Sequence, residues 1–362
     1  MTEAVQVTSE STALVAASSA SAQSYLAEPT LRLRENEYAE LKRRIKRQGL
    51  LDKQPLYYTT HILLIGGLLA LSVTFLVLID SLWLQLLNAT FLAFVFTQIS
   101  FLGHDATHRQ MFRSVRKNNI AGTIFWNLLL GMSNRWFIYR HNRHHARPNE
   151  IEHDPDVDLI ILSFSERQAR RRQGFLRFLV RYQIFLVPLL ALEMIVLRYA
   201  SYRFLIRPKG RYPPIEVLLS AVSLLVYAAL TYYLLGLWQA LLFILVHQLF
   251  FGLYFSSVIA SNHKGMPYWQ EDAKLDFLRQ QVLTARNVTS HPLIDFWYGG
   301  LNFQIEHHLF PNMPRNKLRA AQTVVKRFCQ ERGVAYCETG LLQSYWEIFQ
   351  SLRTVSATVG RR

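Results

Sequence analysis

The sequence predicts an all-α integral membrane protein, with four transmembrane helices in two hairpins, interfacial helices and a helical cytoplasmic cap. Three observations lead there: apolar residues gathered in long runs, turns free of Lys and Arg between paired runs, and histidines clustered where the runs end. At 362 residues and 51% hydrophobic, the chain is long enough for two soluble domains, but soluble cores spread their apolar residues with a helical or strand period. Here they concentrate at 57–79, 82–101, 215–235 and 238–260, where the only charge is Glu216. Each run can cross a hydrocarbon layer about 30 Å thick.

Residues 1–30 carry no Lys or Arg and no apolar run of more than a few residues, so they read as a disordered leader. Residues 31–362 read as one membrane domain. Its first stretch, 31–53, holds Arg32, Arg34, Lys42, Arg43, Arg44, Lys46 and Arg47 and is expected as a solvated juxtamembrane helix on anionic headgroups. Only Asp80 and Ser81 separate the first two spans, and only Gly236 and Leu237 the last two. All 40 basic residues therefore fall on the opposite side, which the positive-inside rule assigns to the cytoplasm, together with both termini and segments 102–214 and 261–362.

Between the hairpins, Arg177 and Arg181 interrupt the start of a further apolar segment, and Pro188 and Glu193 lie in its clean part, Ile184 to Leu197. Those 14 residues suit an interfacial or re-entrant helix better than a crossing. A crossing would put Arg198, Arg203, Arg207, Lys209 and Arg211 outside. After Pro311 the mixed polarity around Lys317, Arg319, Lys326 and Arg327 predicts the helical cap. Cys329 and Cys337 lack CxxC spacing and are expected as reduced thiols. The net charge of +15 is explained by headgroups and topology, so no nucleic-acid partner is expected.

The histidines carry the chemistry. His104 and His108 lie in HDATH, His141, His144 and His145 in HNRHH, and His307 and His308 in QIEHH. Imidazoles at i,i+3 or i,i+4 share a helix face and can point at one ion. With His263 they make eight of twelve histidines, more than the roughly six positions around one ion, so a two-metal centre is expected. His104 and His263 follow the second and fourth spans by a few residues, at the cytoplasmic boundary, where a site can receive a lipid tail from below and electrons from a soluble donor above. Asp105, Asp154, Asp156 and Glu306 are candidates to orient imidazole N–H groups, with helix capping or salt bridging as the alternative. His153 and His291 stay outside the ligand set.

HDATH after a span, HNRHH beyond it, SNHKGMP after the second pair of spans and GGLNFQIEHHLFPNMPR together resemble the membrane fatty acid desaturase family, from about Tyr57 to the C-terminus. The resemblance implies a non-haem di-iron centre that uses O2 and two external electrons to remove two hydrogens from an unactivated acyl chain. It places His104, His108, His141, His144, His145, His263, His307 and His308 at the ligand positions. Gln304 stands where many members have a ninth histidine; it is expected to ligate through its oxygen, to hold a ligand water, or only to pack. QxxHH resembles front-end and certain bacterial acyl desaturases, which leaves the double-bond position open.

The sequence shows no HPGG haem motif, so the electrons are expected from a separate ferredoxin or similar donor with its reductase, for which Arg170, Arg171 and Arg172 are a candidate docking cluster or a headgroup anchor. An acyl-CoA, a carrier-protein thioester or a glycerolipid would each fit as substrate. His247, about 24 Å up a straight helix from His263, would line the acyl tunnel or bond a neighbouring helix. Two other functions use similar residues. A di-iron hydroxylase shares the boxes, and a metal transporter or sensor also collects histidines, though transporters place ligands near the midplane in broken helices.

Overall fold

The structure, a computed structural model, describes residues 35–157, 159, 162–206, 214–270 and 275–360. The expected leader, Arg32, Arg34, Arg207, Lys209 and Arg211 lie outside these residues. The described chain is mostly helical. Helix α1 (Glu35–Arg47) precedes a hairpin of α2 (Pro55–Leu78) and α3 (Leu82–Thr107). Pro55 occupies the first turn of α2, where its missing N–H costs nothing. The hairpin turn is held by Gln85, whose amide donates to the Leu76 and Ile79 carbonyls at 3.2 and 2.7 Å and so caps the end of α2.

Helix α4 (Val115–Thr123) runs into a π-helical turn, Ile124–Leu129, and α5 (Asn134–Ala146) carries HNRHH. Short helices α6 (Glu166–Arg171) and α7 (Gly174–Arg181) lead to a 3-10 stretch, Gln183–Leu192, that continues as α8 (Glu193–Leu205). The second hairpin is α9 (Pro214–Leu235) and α10 (Leu237–His263). It turns at Gly236, whose φ of 73° suits glycine although a Cβ there would meet nothing. Helices α3 and α10 pack against each other at the centre, through Gln98 on the Tyr254 hydroxyl at 3.0 Å and Phe96 edge-on to Phe251. Leu63, Leu71, Leu78, Leu225, Val226 and Tyr233 stand exposed on α2 and α9.

Among the described residues, five helices are long and apolar enough to cross a membrane, one more than the four spans expected. The fifth is Gln183–Leu205, of which the expected 14 residues are only part. The helix runs on past Leu197 because Arg198, which closes the apolar run in sequence, is accommodated: its guanidinium donates to Gln248 at 2.7 Å and to the Leu130 carbonyl at 3.1 Å. This segment presses on α10 at Gly252, where a Cβ would run into the Ala191 carbonyl. Helices α3 and α10 likewise outrun their expected ends at 101 and 260. Neither meets a proline, and the polar residues past each apolar run are buried on partners, Asp105 on Arg315 and Asn262 on the Leu301 carbonyl. His104 and His263 thus occupy last helical turns and do not follow the spans.

A layer of short helices covers these ends: α11 (Phe277–Leu283), α12 (Pro292–Trp297), α13 (Gln304–Leu309), α14 (Leu318–Glu331) and α15 (Leu341–Gly360), with β1 (Asn287–Val288) paired parallel to β2 (Glu338–Thr339). Helix α1 packs one face into this layer, where a solvated helix was expected. Leu41 and Ile45, one turn apart, are buried among Leu278, Val282, Phe303, Val325 and Phe328, each worth roughly 1.5–3 kcal/mol. Arg44 pairs with Glu331 at 2.6 Å, while Lys42, Arg43, Lys46 and Arg47 face outward. Among the described residues, Cys329 and Cys337 form no disulfide.

Candidate metal centre

Helical spacing builds the first part of the site. His104 and His108 lie one turn apart at the end of α3, and His141 and His145 one turn apart on α5. With His307 from α13, their ligand atoms all lie within 4.8 Å of one another. His144, one turn from His141 on α5, joins His263 and His308 in a second group of the same tightness. The groups adjoin: the His145 and His308 rings stack at 4.2 Å. All eight expected ligands are therefore brought together, five and three.

In the second group each Nδ1 has an acceptor. His144 has Asp154 at 3.0 Å, His263 the Thr284 carbonyl at 3.1 Å, and His308 the Gln281 amide oxygen at 2.8 Å. In the neutral rings those bonds place the proton on Nδ1 and leave Nε2 with its lone pair. Yet the Nε2 atoms face each other, His263 to His308 at 3.0 Å and to His144 at 3.3 Å. Lone pairs that converge at about 3 Å are what ligands at about 2.1 Å subtend around one cation, so these residues fit a metal ion. In the first group the Nε2 of His145 faces those of His141 and His307 at 3.1 and 3.2 Å, and a buried His108 Nε2 has no partner.

For five of these rings protonation does not relieve the crowding. Burial first, and neighbouring imidazoles second, hold His108, His141, His145, His307 and His308 well below the ordinary histidine range, as neutral ligands. His144 differs: burial pushes it down, but Asp154 and Asp156 more than offset that and raise it.

The Gln304 amide lies 2.9 Å from His263 Nε2. Its oxygen accepts from Asn262 at 3.2 Å, an orientation set by the Asn262 bond to the Leu301 carbonyl, so its nitrogen faces the three-histidine group. Asp105 bridges His104 Nδ1 (3.2 Å) and Arg315 (2.5 Å), and Asp156 pairs with Arg140 at 2.8 Å and reaches His144 Nδ1 at 3.5 Å. Glu306 contacts no histidine, contrary to expectation. It accepts from Asn287 and Tyr336, both at 2.7 Å, and burial pushes its carboxyl up to about 7.

Next to both groups lies an apolar cavity. His104, His141, His144, His263 and Gln304 form one part of its wall, and Trp126, Phe137, Val187, Leu190, Phe255 and Leu352 another. A neutral nitrogen-rich metal site facing a channel of this kind can oxidise an aliphatic chain while excluding water.

Residues 81–340 match the fatty acid desaturase family model. The chain belongs to the fatty acid desaturase family. It is 28% identical to an acyl-lipid (9-3)-desaturase of the moss Physcomitrium patens over 91% of this chain and 64% of that protein, so it spans less than two thirds of the moss protein's length. It is similar to a Delta(6)-fatty-acid desaturase of Caenorhabditis elegans, 26% identical over 88% of this chain and 74% of that one, and to a Delta(8)-fatty-acid desaturase of Euglena gracilis, 29% identical over 83% and 74%. With five membrane-length helices, this family member is a membrane protein.

Three of the four remaining histidines have other work. His153 bonds Glu150 at 2.8 Å, and His291 caps α12 by accepting from the Leu293 N–H. His247 does not line the cavity; it bonds the Tyr227 hydroxyl of the neighbouring helix at 2.7 Å. Sequence reasoning missed the supports that α11 supplies. The final carbonyls of α5 lack helical partners, and Gln280 and Gln281 take those of Ala146 and His145 at 2.9 and 3.1 Å. Arg286 donates to the carbonyls of Ser261 and Lys264, on either side of His263, and pairs with Glu347 on α15. The only signal for them was a run of uncharged amides, QQ, beside an arginine in an otherwise plain stretch.

Proposed function

We propose that this chain is an O2-dependent fatty acyl desaturase that places a double bond in a long acyl chain, carried as a thioester or a lipid, at the cytoplasmic membrane face. The observation that carries the reading is an apolar cavity whose wall includes ligands from both histidine groups. In this reading His104, His108, His141, His145 and His307 hold one iron and His144, His263 and His308 the other, with Gln304 beside the second. Iron so held supplies the O2-dependent oxidising power that an unactivated C–H bond demands.

The protein's own residues do the rest. Trp126, Phe137, Leu190 and Phe255 bind the acyl chain by apolar contact and keep water from the reacting carbons. Asp154, Gln281 and the Thr284 carbonyl hold the Nδ1 protons that keep three Nε2 atoms aimed inward. Reduction of O2 to water takes two electrons from the acyl chain and two from a donor. This reading assigns the donor electrons to a redox carrier with its reductase, residues 1–362 containing no HPGG motif.

The proposed topology has four crossings, with residues 31–362 as one domain and the layer of short helices in the cytoplasm. Two contacts support it. His104 and His263 end α3 and α10 in one site, which four crossings allow and a fifth between them does not. Gln183 bonds the Leu352 carbonyl of α15, and Phe204 stacks on Tyr139 of α5, so both ends of Gln183–Leu205 meet elements of the histidine side. Cysteine labelling that places Arg203 on the outer face contradicts this topology.

Expression in a host of known lipid composition, with mass spectrometry of its fatty acids, tests the function. A new double bond supports the proposal; a hydroxyl group in its place makes the chain a hydroxylase; metal uptake with neither makes it a transporter or sensor.

A further inference from the structure

We infer that Asn149, which lies outside all the histidine boxes, is a positioning residue that sets His144 and His263 relative to each other; this rests on the proposed metal reading of the three-histidine group. Asn149 follows α5 by three residues and is fully buried. Its backbone N–H donates to Asp154 Oδ2 at 2.8 Å, the same oxygen that accepts from His144 Nδ1 at 3.0 Å. Its side-chain amide donates to the Thr284 carbonyl at 3.1 Å, which also accepts from His263 Nδ1. The same amide reaches the carbonyl of His263 itself at 3.0 Å and that of Pro267 at 3.3 Å.

One residue therefore touches the outer partners of two ligands that come from different helices. Both acceptors are available for a physical reason. Thr284 caps the end of α11 and His263 ends α10, so their carbonyls lack helical partners. The orientation of the amide is also determined, because three carbonyl oxygens surround Nδ2 and a flipped amide would aim its own oxygen at them. Asn149 further holds φ of +57°, a conformation that Asn, Asp and Gly adopt far more readily than other residues. An Ala or Gln variant would mix backbone strain with the loss of the amide. Gly and Asp avoid that.

The consequence concerns only one half of the centre. Without the amide, the Thr284 carbonyl and the end of α10 are free to shift away from Asp154, and the His144–His263 spacing is no longer held. The five-histidine group has no bond to Asn149. The test uses full-length protein purified in detergent, loaded with 57Fe, and read by metal analysis and Mössbauer spectroscopy. Wild type should hold two irons per chain in two distinguishable environments. Asn149→Gly keeps the backbone conformation and deletes the amide; it should lose one environment, with affinity there lower by roughly 10- to 100-fold, and keep the other unchanged. Asn149→Asp, of equal size, should do the same because it turns a donor into an acceptor.

Two irons with the wild-type spectrum in both variants would overturn the inference and leave the metal reading intact. A wild-type chain without two irons would overturn the metal reading first. Equal loss from both environments, or failure of both variants to accumulate as monodisperse protein, would make Asn149 a residue of the general fold and also overturn the inference.

Discussion

In the three-histidine group every outer nitrogen has an acceptor: Asp154 for His144, the Thr284 carbonyl for His263, Gln281 for His308. In the five-histidine group His104 has Asp105, while the buried Nδ1 atoms of His145 and His307 have no partner. The difference follows from how each group is built. Four of the five come as two pairs, each one turn apart at the end of α3 and on α5, so helical periodicity already aims them together. The three come singly from α5, α10 and α13, and no local geometry relates them. Helical spacing holds one group together, and tertiary hydrogen bonds hold the other.

The largest expected effect separates the two directly. His144→Ala and His307→Ala should each abolish turnover with membrane insertion intact, but iron per chain should fall from two to one in the first and stay at two in the second, where four ligands remain. Equal iron loss in both breaks the comparison. A smaller effect is expected from the outer partners: Asp154→Asn should weaken iron at the three-histidine site by roughly 10- to 100-fold, and Asp105→Asn should weaken the other site less. A titration of iron into each variant gives the order, and the reverse order contradicts the account.

The donor comes next. With O2 and reduced nicotinamide alone the chain should not turn over, and a small redox protein with its reductase should restore activity. Under limiting donor, added salt should slow it, since exposed charges are screened beyond roughly 8 Å near physiological ionic strength. The smallest effect is expected on neutralising Arg170, Arg171 and Arg172. Arg170 and Arg171 already pair with Glu166 and Glu152, and Arg172 is tied to the Leu159 carbonyl, so two of the three charges are already compensated. A large loss of donor-limited rate in that triple variant would assign the docking face to it.

The same contrast explains what the sequence made legible. His104 with His108 and His141 with His145 announce themselves by spacing, and the paired spans by uncharged turns. His263 was readable only beside the other boxes. Asn149 and Thr284 were not readable, because one acts through an amide on distant carbonyls and the other through its own backbone oxygen, which no side-chain pattern encodes. Helix α1 was misread for a different reason: the charges of Lys42, Arg43, Lys46 and Arg47 drew attention from Leu41 and Ile45, whose one-turn spacing marks a buried face. The segment Gln183–Leu205 was read too short because Arg198 ends its apolar run in sequence, while in the fold its guanidinium has two buried partners.

The central claim is that these eight histidines form two metal sites of different construction. Metal analysis of fully loaded, purified protein tests it most directly, combined with an activity assay after zinc replaces iron. The two-site arrangement predicts two irons per chain and no oxidation with zinc alone. A single ion per chain, or zinc supporting the oxidation, would contradict it.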